Sequence, residues 1–303
     1  MKLPSTHRKK ITFKGIPDDT RSLDALINIA LNHPLMATLI LKHYDQNTQE
    51  KMLASFIKQS EELLTQEKMY QAQILQSYPA NVQNLLNTFF TRINRESIQY
   101  QKNTYLNALH YFKAGVLPND GLHGIGDNCY EYATGNIFDS SKIDVFHNPG
   151  YSMVVPGYWC LIDENKKAVF RKDINKYFSQ DEITTFINVR PTVLSAQSNG
   201  YPLSSDWCSM IKFDAKFAGK RLTKLPAFNR DTYVSKPNTT LFAGVYCAED
   251  YHFYRFNPEV GFWTHKRGAT PVAATDDSGN LIFDPYSCNR GMYTEFMGNF
   301  ELS

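Results

Sequence analysis

The sequence predicts an α+β fold, with a helical module over residues 1–115 followed by a domain built on an antiparallel sheet over 116–303. Three observations predict it. Apolar residues recur at helical spacing through the first third of the chain. Past Gly115 the texture changes, with more glycine, proline and aromatic residues and shorter apolar runs. From Thr239 onward these runs alternate with turn residues, as the strands of a meander do. The chain of 303 residues, 42% hydrophobic and 14% aromatic, is long and apolar enough to bury a substantial core.

Residues 1–20 are polar, carry Gly15, Pro17 and Asp18-Asp19, and read as an arm or edge segment. A first helix is expected from Ser22 to Tyr44. His33-Pro34 interrupts it, because proline lacks an N–H and restricts the residue before it. Asn47 or Thr48 caps a second helix that runs through Phe56, Ile57, Leu63 and Leu64 to about Ser77 and stops before Pro79. A third spans about Ala80 to Ala114, with Gly115 as its C-cap. The three make an antiparallel helical module. Its charged faces read as solvated surface, with the docking of a protein partner as the alternative. Strands are expected within Tyr151–Ile162 and Lys166–Phe170, and a helix start at Ser179–Ile183. Turn signals leave 190–236 unassigned. The meander then takes Thr239–Cys247, His252–Phe256, Gly261–His265, Ala269–Ala274 and Leu281–Phe283, with loops at Asn257–Gly261 and Asp276–Asn280.

Composition excludes several roles. A formal net charge of +2 argues against a nucleic-acid binder driven by bulk charge. No apolar run approaches membrane-spanning length, so no membrane span is expected. The basic stretch Met1–Lys10 lacks the apolar core of a signal peptide. Five scattered cysteines without a CxxC pair indicate reduced thiols. These features suit a cytoplasmic fold, or export by a specialised secretion system that uses no cleaved signal. No cofactor is expected. A metal set drawn from Cys129, His252, His265 and Asp284 lacks any HExxH or CxxC spacing, so no metal is expected either.

The chemistry-bearing stretch is Gly124–Ala133. Asp127 or Asn128 can cap a helix and place Cys129 in or beside its first turn, where the positive end of the helix favours thiolate. A cysteine so placed is a candidate nucleophile if a histidine reaches it. His252 opens a strand and His265 closes the next, 265 − 252 = 13 positions on. A hairpin between them makes the two imidazoles neighbours, one as base and the other fixing its tautomer. Asp284, in Phe283-Asp284-Pro285, competes for the third position, and its bland role is a turn cap. Trp263, Tyr251 and Trp159 read as core or cleft walls.

A cysteine at a helix start, then a histidine opening a strand, then a polar residue on the next strand resembles the papain-like superfamily, and within it the NlpC/P60 branch. Asp250–Arg255, Trp263–Val272, Asp284-Pro285 and Asn289–Tyr293, together with Asn128–Ala133, also resemble a family that includes insoluble shell-matrix proteins and many bacterial proteins. The resemblance runs in patches over about 124–300 and leaves out the helical module. It implies a papain-like domain over 116–303 and a thiol hydrolase with Cys129 as nucleophile, His252 as base and His265 or Asp284 as orienter. The substrate would be an amide or isopeptide in a protein or peptide. A transglutaminase-like acyl-transferase and a non-catalytic binding or matrix protein are the alternatives. His123 stands near the place where papain carries an oxyanion-hole glutamine, leaving the Cys129 amide and Asn128 or His123 as donors.

Overall fold

The computed structural model describes residues 45–113, 128–135, 137, 156, 160–162, 168–170, 175, 178–185, 204–247, 250–268 and 270–303. The arm, the helix expected over 22–44, the Gly115 cap, His123, Trp159 and most of the Tyr151–Ile162 run lie outside these residues.

Helices α1 (Gln46–Ser77) and α2 (Ala80–Lys113) form a hairpin. Pro79 separates them: it cannot continue α1, and its carbonyl accepts the amides of Val82 and Gln83, both at 2.9 Å. On α2, Leu86, Phe89, Phe90 and Ile93 recur at i, i+3, i+4 and i+7 and are buried against Phe262, Val272, Ala274 and Leu281. Phe89 meets the Phe262 ring edge-on at 5.1 Å. The helical hairpin therefore shares a core with the sheet.

Helix α3 (Cys129–Thr134) is six residues long and wholly buried. Strands β1 (Cys160–Ile162) and β2 (Ala168–Phe170) form an antiparallel pair. A helical stretch at 180–185 follows, with Ser179 and Glu182 bonded reciprocally at its start. Helix α4 (Ser204–Phe217) falls in the stretch that turn signals left unassigned. Asn199-Gly200 and Pro202 stand just before it, and the spacing of Trp207, Met210 and Ile211 marks its buried face.

The six-stranded sheet comprises β3 (Leu222–Leu225), β4 (Thr240–Tyr246), β5 (Tyr251–Asn257), β6 (Phe262–Lys266), β7 (Val272–Ala273) and β8 (Glu295–Leu302). Its order is β3-β8-β4-β5-β6-β7, antiparallel throughout. β4 to β7 form the expected meander. Leu281–Phe283 differs from expectation: it makes isolated bridges, Ile282 with Trp263 and Leu281 with Thr275. The chain then returns as β8 to lie between β3 and β4. A register shift at Gly244/Val245 marks this central pair. A Cβ on Gly244 would stand 2.6 Å from Met297 Sδ and 2.9 Å from Phe253 Cε1, so only glycine fits.

Alternation along the strands gives the sheet two buried faces. Phe242, Phe253, Met297, Phe300 and Leu302 face α3 and α4. Leu241, Ala243, Val245, Tyr254, Phe256 and Trp263 lie on the other face, covered by Phe228, Tyr233, Ile282 and Tyr293. Fully burying each such side chain is worth about 1.5–3 kcal/mol, which is how short strands and a six-residue helix hold together.

Candidate functional site

His252 and His265 project from the same face of adjacent strands. The register pairs His265 with Tyr254, so His252 is its diagonal neighbour, two residues from the directly opposed position. The rings meet edge to face with centroids 5.0 Å apart, and His252 Nε2 lies 2.8 Å from His265 Nδ1. His265 Nε2 in turn lies 3.0 Å from the Thr275 carbonyl. Both residues are buried, 1% and 4% exposed. Burial pushes His252 well below its ordinary range, with His265 and Arg267 adding to the effect. Burial, aided by Arg267, pushes His265 down to about 3. Both rings are therefore neutral near pH 7.

Neutrality fixes the protons. The Thr275 carbonyl only accepts, so His265 Nε2 carries the hydrogen and its Nδ1 is a bare acceptor. His252 Nε2 must then donate to that acceptor. The lone pair left over is on His252 Nδ1.

Two aromatic rings frame His252. Tyr293 stacks on it at 5.3 Å and Tyr254 meets it edge-on at 5.0 Å. The Tyr293 hydroxyl donates to Asp250 Oδ2 at 2.9 Å, and the Tyr251 amide donates to Asp250 Oδ1 at 2.8 Å. Asp250 keeps part of its surface exposed, yet its carboxyl is surrounded closely enough that burial pushes it up to about 7 against those two donors.

Cys129 is the first residue of α3. Asn128 caps the helix by accepting from the Tyr130 amide at 2.7 Å and the Glu131 amide at 3.0 Å, while Glu131 Oε2 accepts the Asn128 amide at 3.2 Å. Cys129 is 6% exposed and belongs to the layer that includes Tyr130 and Phe253. The backbone amides of Phe253, the residue after His252, and of Tyr130 lie near enough to favour its thiolate. Burial is the largest influence and pushes the thiol up, with Asp250 adding to it; the two amides and Lys266 pull the other way and lose. The helix start thus does not make a resting thiolate here. Because Phe253 and His252 point to opposite faces, the sulfur approaches the His252 backbone from the helical side. Burial first, then Asp250 and Cys129, hold the Tyr293 hydroxyl well above its ordinary range.

Asp284 is placed elsewhere. Its Oδ1 accepts the Tyr286 amide at 2.9 Å and its Oδ2 the Ser287 hydroxyl at 3.3 Å, the geometry of a turn cap. His265 is the residue bonded to His252. Trp263 is buried in the sheet core, and Tyr251 packs on Trp207 with ring centroids at 5.0 Å. Among the described residues no group of three His, Cys, Asp or Glu side chains is disposed to hold a metal ion. No described helix is long and apolar enough to cross a membrane.

Sequence reasoning missed Asp250, Tyr293, Thr275 and Glu67. The first two stand inside the quoted motif stretches, beside residues that were singled out. Glu67 carried a subtler signal, an acidic residue on the buried stripe of α1 that also takes Ser60, Leu64 and Gln71. A cavity of about 790 Å³ between α1 and β6–β7 is lined by Lys58, Glu62, Glu67, Tyr70, His265, Arg267 and Thr275, among others.

Over 54 residues, 18% of its length, the chain is 50% identical to Insoluble matrix shell protein 1 of Ruditapes philippinarum. The matched stretch covers 36% of that relative. No family model matches the chain, and no solved structure matches it.

Proposed function

We propose that the chain is a thiol hydrolase or acyl-transferase of papain-like type that acts on an amide or isopeptide bond in a protein or peptide. The observation that carries this reading is the chain of bonds from His252 through His265 to the Thr275 carbonyl, which leaves His252 Nδ1 as an oriented base. The sulfur of Cys129 sits at the amide of the next residue. Sγ and the His252 ring start from opposite faces of β5, so the step requires them to close up: His252 Nδ1 then takes the Sγ proton as sulfur bonds to the substrate carbonyl carbon. The resulting oxyanion is held by the Cys129 amide, the one at the start of α3 that the capping box does not use. Collapse breaks the C–N bond, and His252 returns the proton to the leaving amine. Water or a second amine then attacks the thioester, again with His252 as base. A protonated resting thiol suits this scheme, since sulfur keeps its proton until attack.

A non-catalytic binding or matrix role is the second reading. It is favoured by the burial of all three side chains and by the description of the shell-protein relative. Stoichiometric iodoacetamide near neutral pH separates the two. Fast, selective labelling at Cys129 that is lost in His252→Ala is the result expected of the enzyme. Uniform slow labelling of the cysteines, or none, overturns it.

A further inference from the structure

The helical hairpin reaches the imidazole pair through one buried carboxylate. Glu67 on α1 is 5% exposed. Its Oε1 accepts the Ala274 amide at 2.9 Å and the Gln71 side-chain amide at 3.0 Å, and its Oε2 accepts the Thr275 hydroxyl. Gln71 continues to α2, where its Oε1 accepts from the Asn94 amide at 2.8 Å. A buried carboxylate is costly unless its lone pairs are filled, and here Gln71 fills one position while Ala274 and Thr275, on the segment whose carbonyl receives His265, fill the others. Thr275 is thus held from both ends, its hydroxyl on Glu67 and its carbonyl on His265. A second clamp on the same edge of the sheet works differently. Ser97 on α2 accepts the Val272 amide at 2.9 Å and has no part in the Thr275 link.

We propose that Glu67 is a positioning residue: by anchoring Thr275 it aims the carbonyl that holds His265 in its Nε2–H tautomer, and so keeps His252 Nδ1 free to act as a base. The helical hairpin is then part of the site's machinery. The inference leans on the preceding reading only for what His252 does with its lone pair; the tautomer itself is independent of any reaction.

The test therefore reads the tautomer directly. Imidazole nitrogens are recorded by long-range proton–nitrogen NMR on the full ¹⁵N-labelled chain near neutral pH. The variants are Glu67→Ala, Glu67→Gln, Thr275→Val and Ser97→Ala. Thr275→Val keeps the side-chain shape and severs only the hydroxyl link, so it serves if Glu67→Ala does not fold. Glu67→Gln retains one acceptor oxygen and an amide able to donate to the Thr275 hydroxyl. The expected result is a single Nε2–H form of His265 in the parent chain, in Ser97→Ala and in Glu67→Gln, with mixed tautomers in Glu67→Ala and Thr275→Val. Cys129 alkylation should fall about tenfold in those last two, the scale on which outer-shell partners of histidine act. An unchanged tautomer in both, or the same loss in Ser97→Ala, overturns the proposal. If the tautomers respond as expected while labelling proves independent of His252, the thiol-enzyme reading fails and the positioning role stands.

Discussion

His252 and His265 share a hydrogen bond although neither is the other's cross-strand partner: the register sets His265 opposite Tyr254, and the bond spans the diagonal at 2.8 Å. A diagonal pair this close depends on both rings being held in one orientation. Removing His265 leaves the His252 Nε2–H buried without an acceptor. His265→Ala should therefore cost about 1–3 kcal/mol beyond the loss of packing. His265→Asn, whose carbonyl can accept from His252, should recover part of that cost. Urea unfolding of the two variants measures the difference, and equal losses would show that the bond contributes nothing.

Acid should destabilise the native state through these rings. Their folded pKa values lie below the ordinary 6.5, His265 at about 3. Below pH 6.5 the unfolded chain therefore takes up protons that the native rings refuse, and stability falls as pH drops from about 6.5 toward about 3. Asp250 has the opposite sign. Its folded pKa is raised from 3.8 to about 7. Its share of stability is complete below the unfolded value and is lost as pH rises through about 7. Asp250→Asn removes that loss, so its urea midpoint should gain on the parent's between about pH 5 and about pH 8. A constant gap across that range would refute the assignment.

Gly244→Ala should be among the most damaging single-methyl changes in the sheet. The new Cβ would overlap Met297 Sδ and the Phe253 ring at once, next to the register shift in the central strand pair. Overpacking of this kind costs about 1–3 kcal/mol, read as a lowered melting temperature. Met297→Ala removes one of the two obstacles but opens a cavity of its own, so the double variant should lose less than the two single losses added together.

Much of this architecture was legible from local signals. Pro79 fixes the break between α1 and α2, and the aromatic runs from Thr240 to Lys266 delimit β4, β5 and β6 within a residue or two. Asn128 was one of two proposed caps for the helix at Cys129, and the structure shows it closing a capping box. The thirteen-residue interval between the histidines gave their proximity but not its diagonal character, because register depends on the hairpin loop and its twist. Three things were not readable. Helix α4 was obscured by turn residues just outside its N-terminus. The insertion of β8 between β3 and β4 is a long-range pairing with no local signature. The burial that raises the Cys129 thiol comes from a core whose side chains lie far apart in the chain, which no window of sequence brings together.

Because residues 295–302 form the strand between β3 and β4, the ribosome must release that stretch before the hydrogen-bonding edge of β4 can close. Until then a nascent chain presents β4 with one side bare, an invitation to chaperones or to a neighbouring polypeptide. Substitutions that weaken β8 should therefore leave an adhesive edge on β4 and favour association between chains.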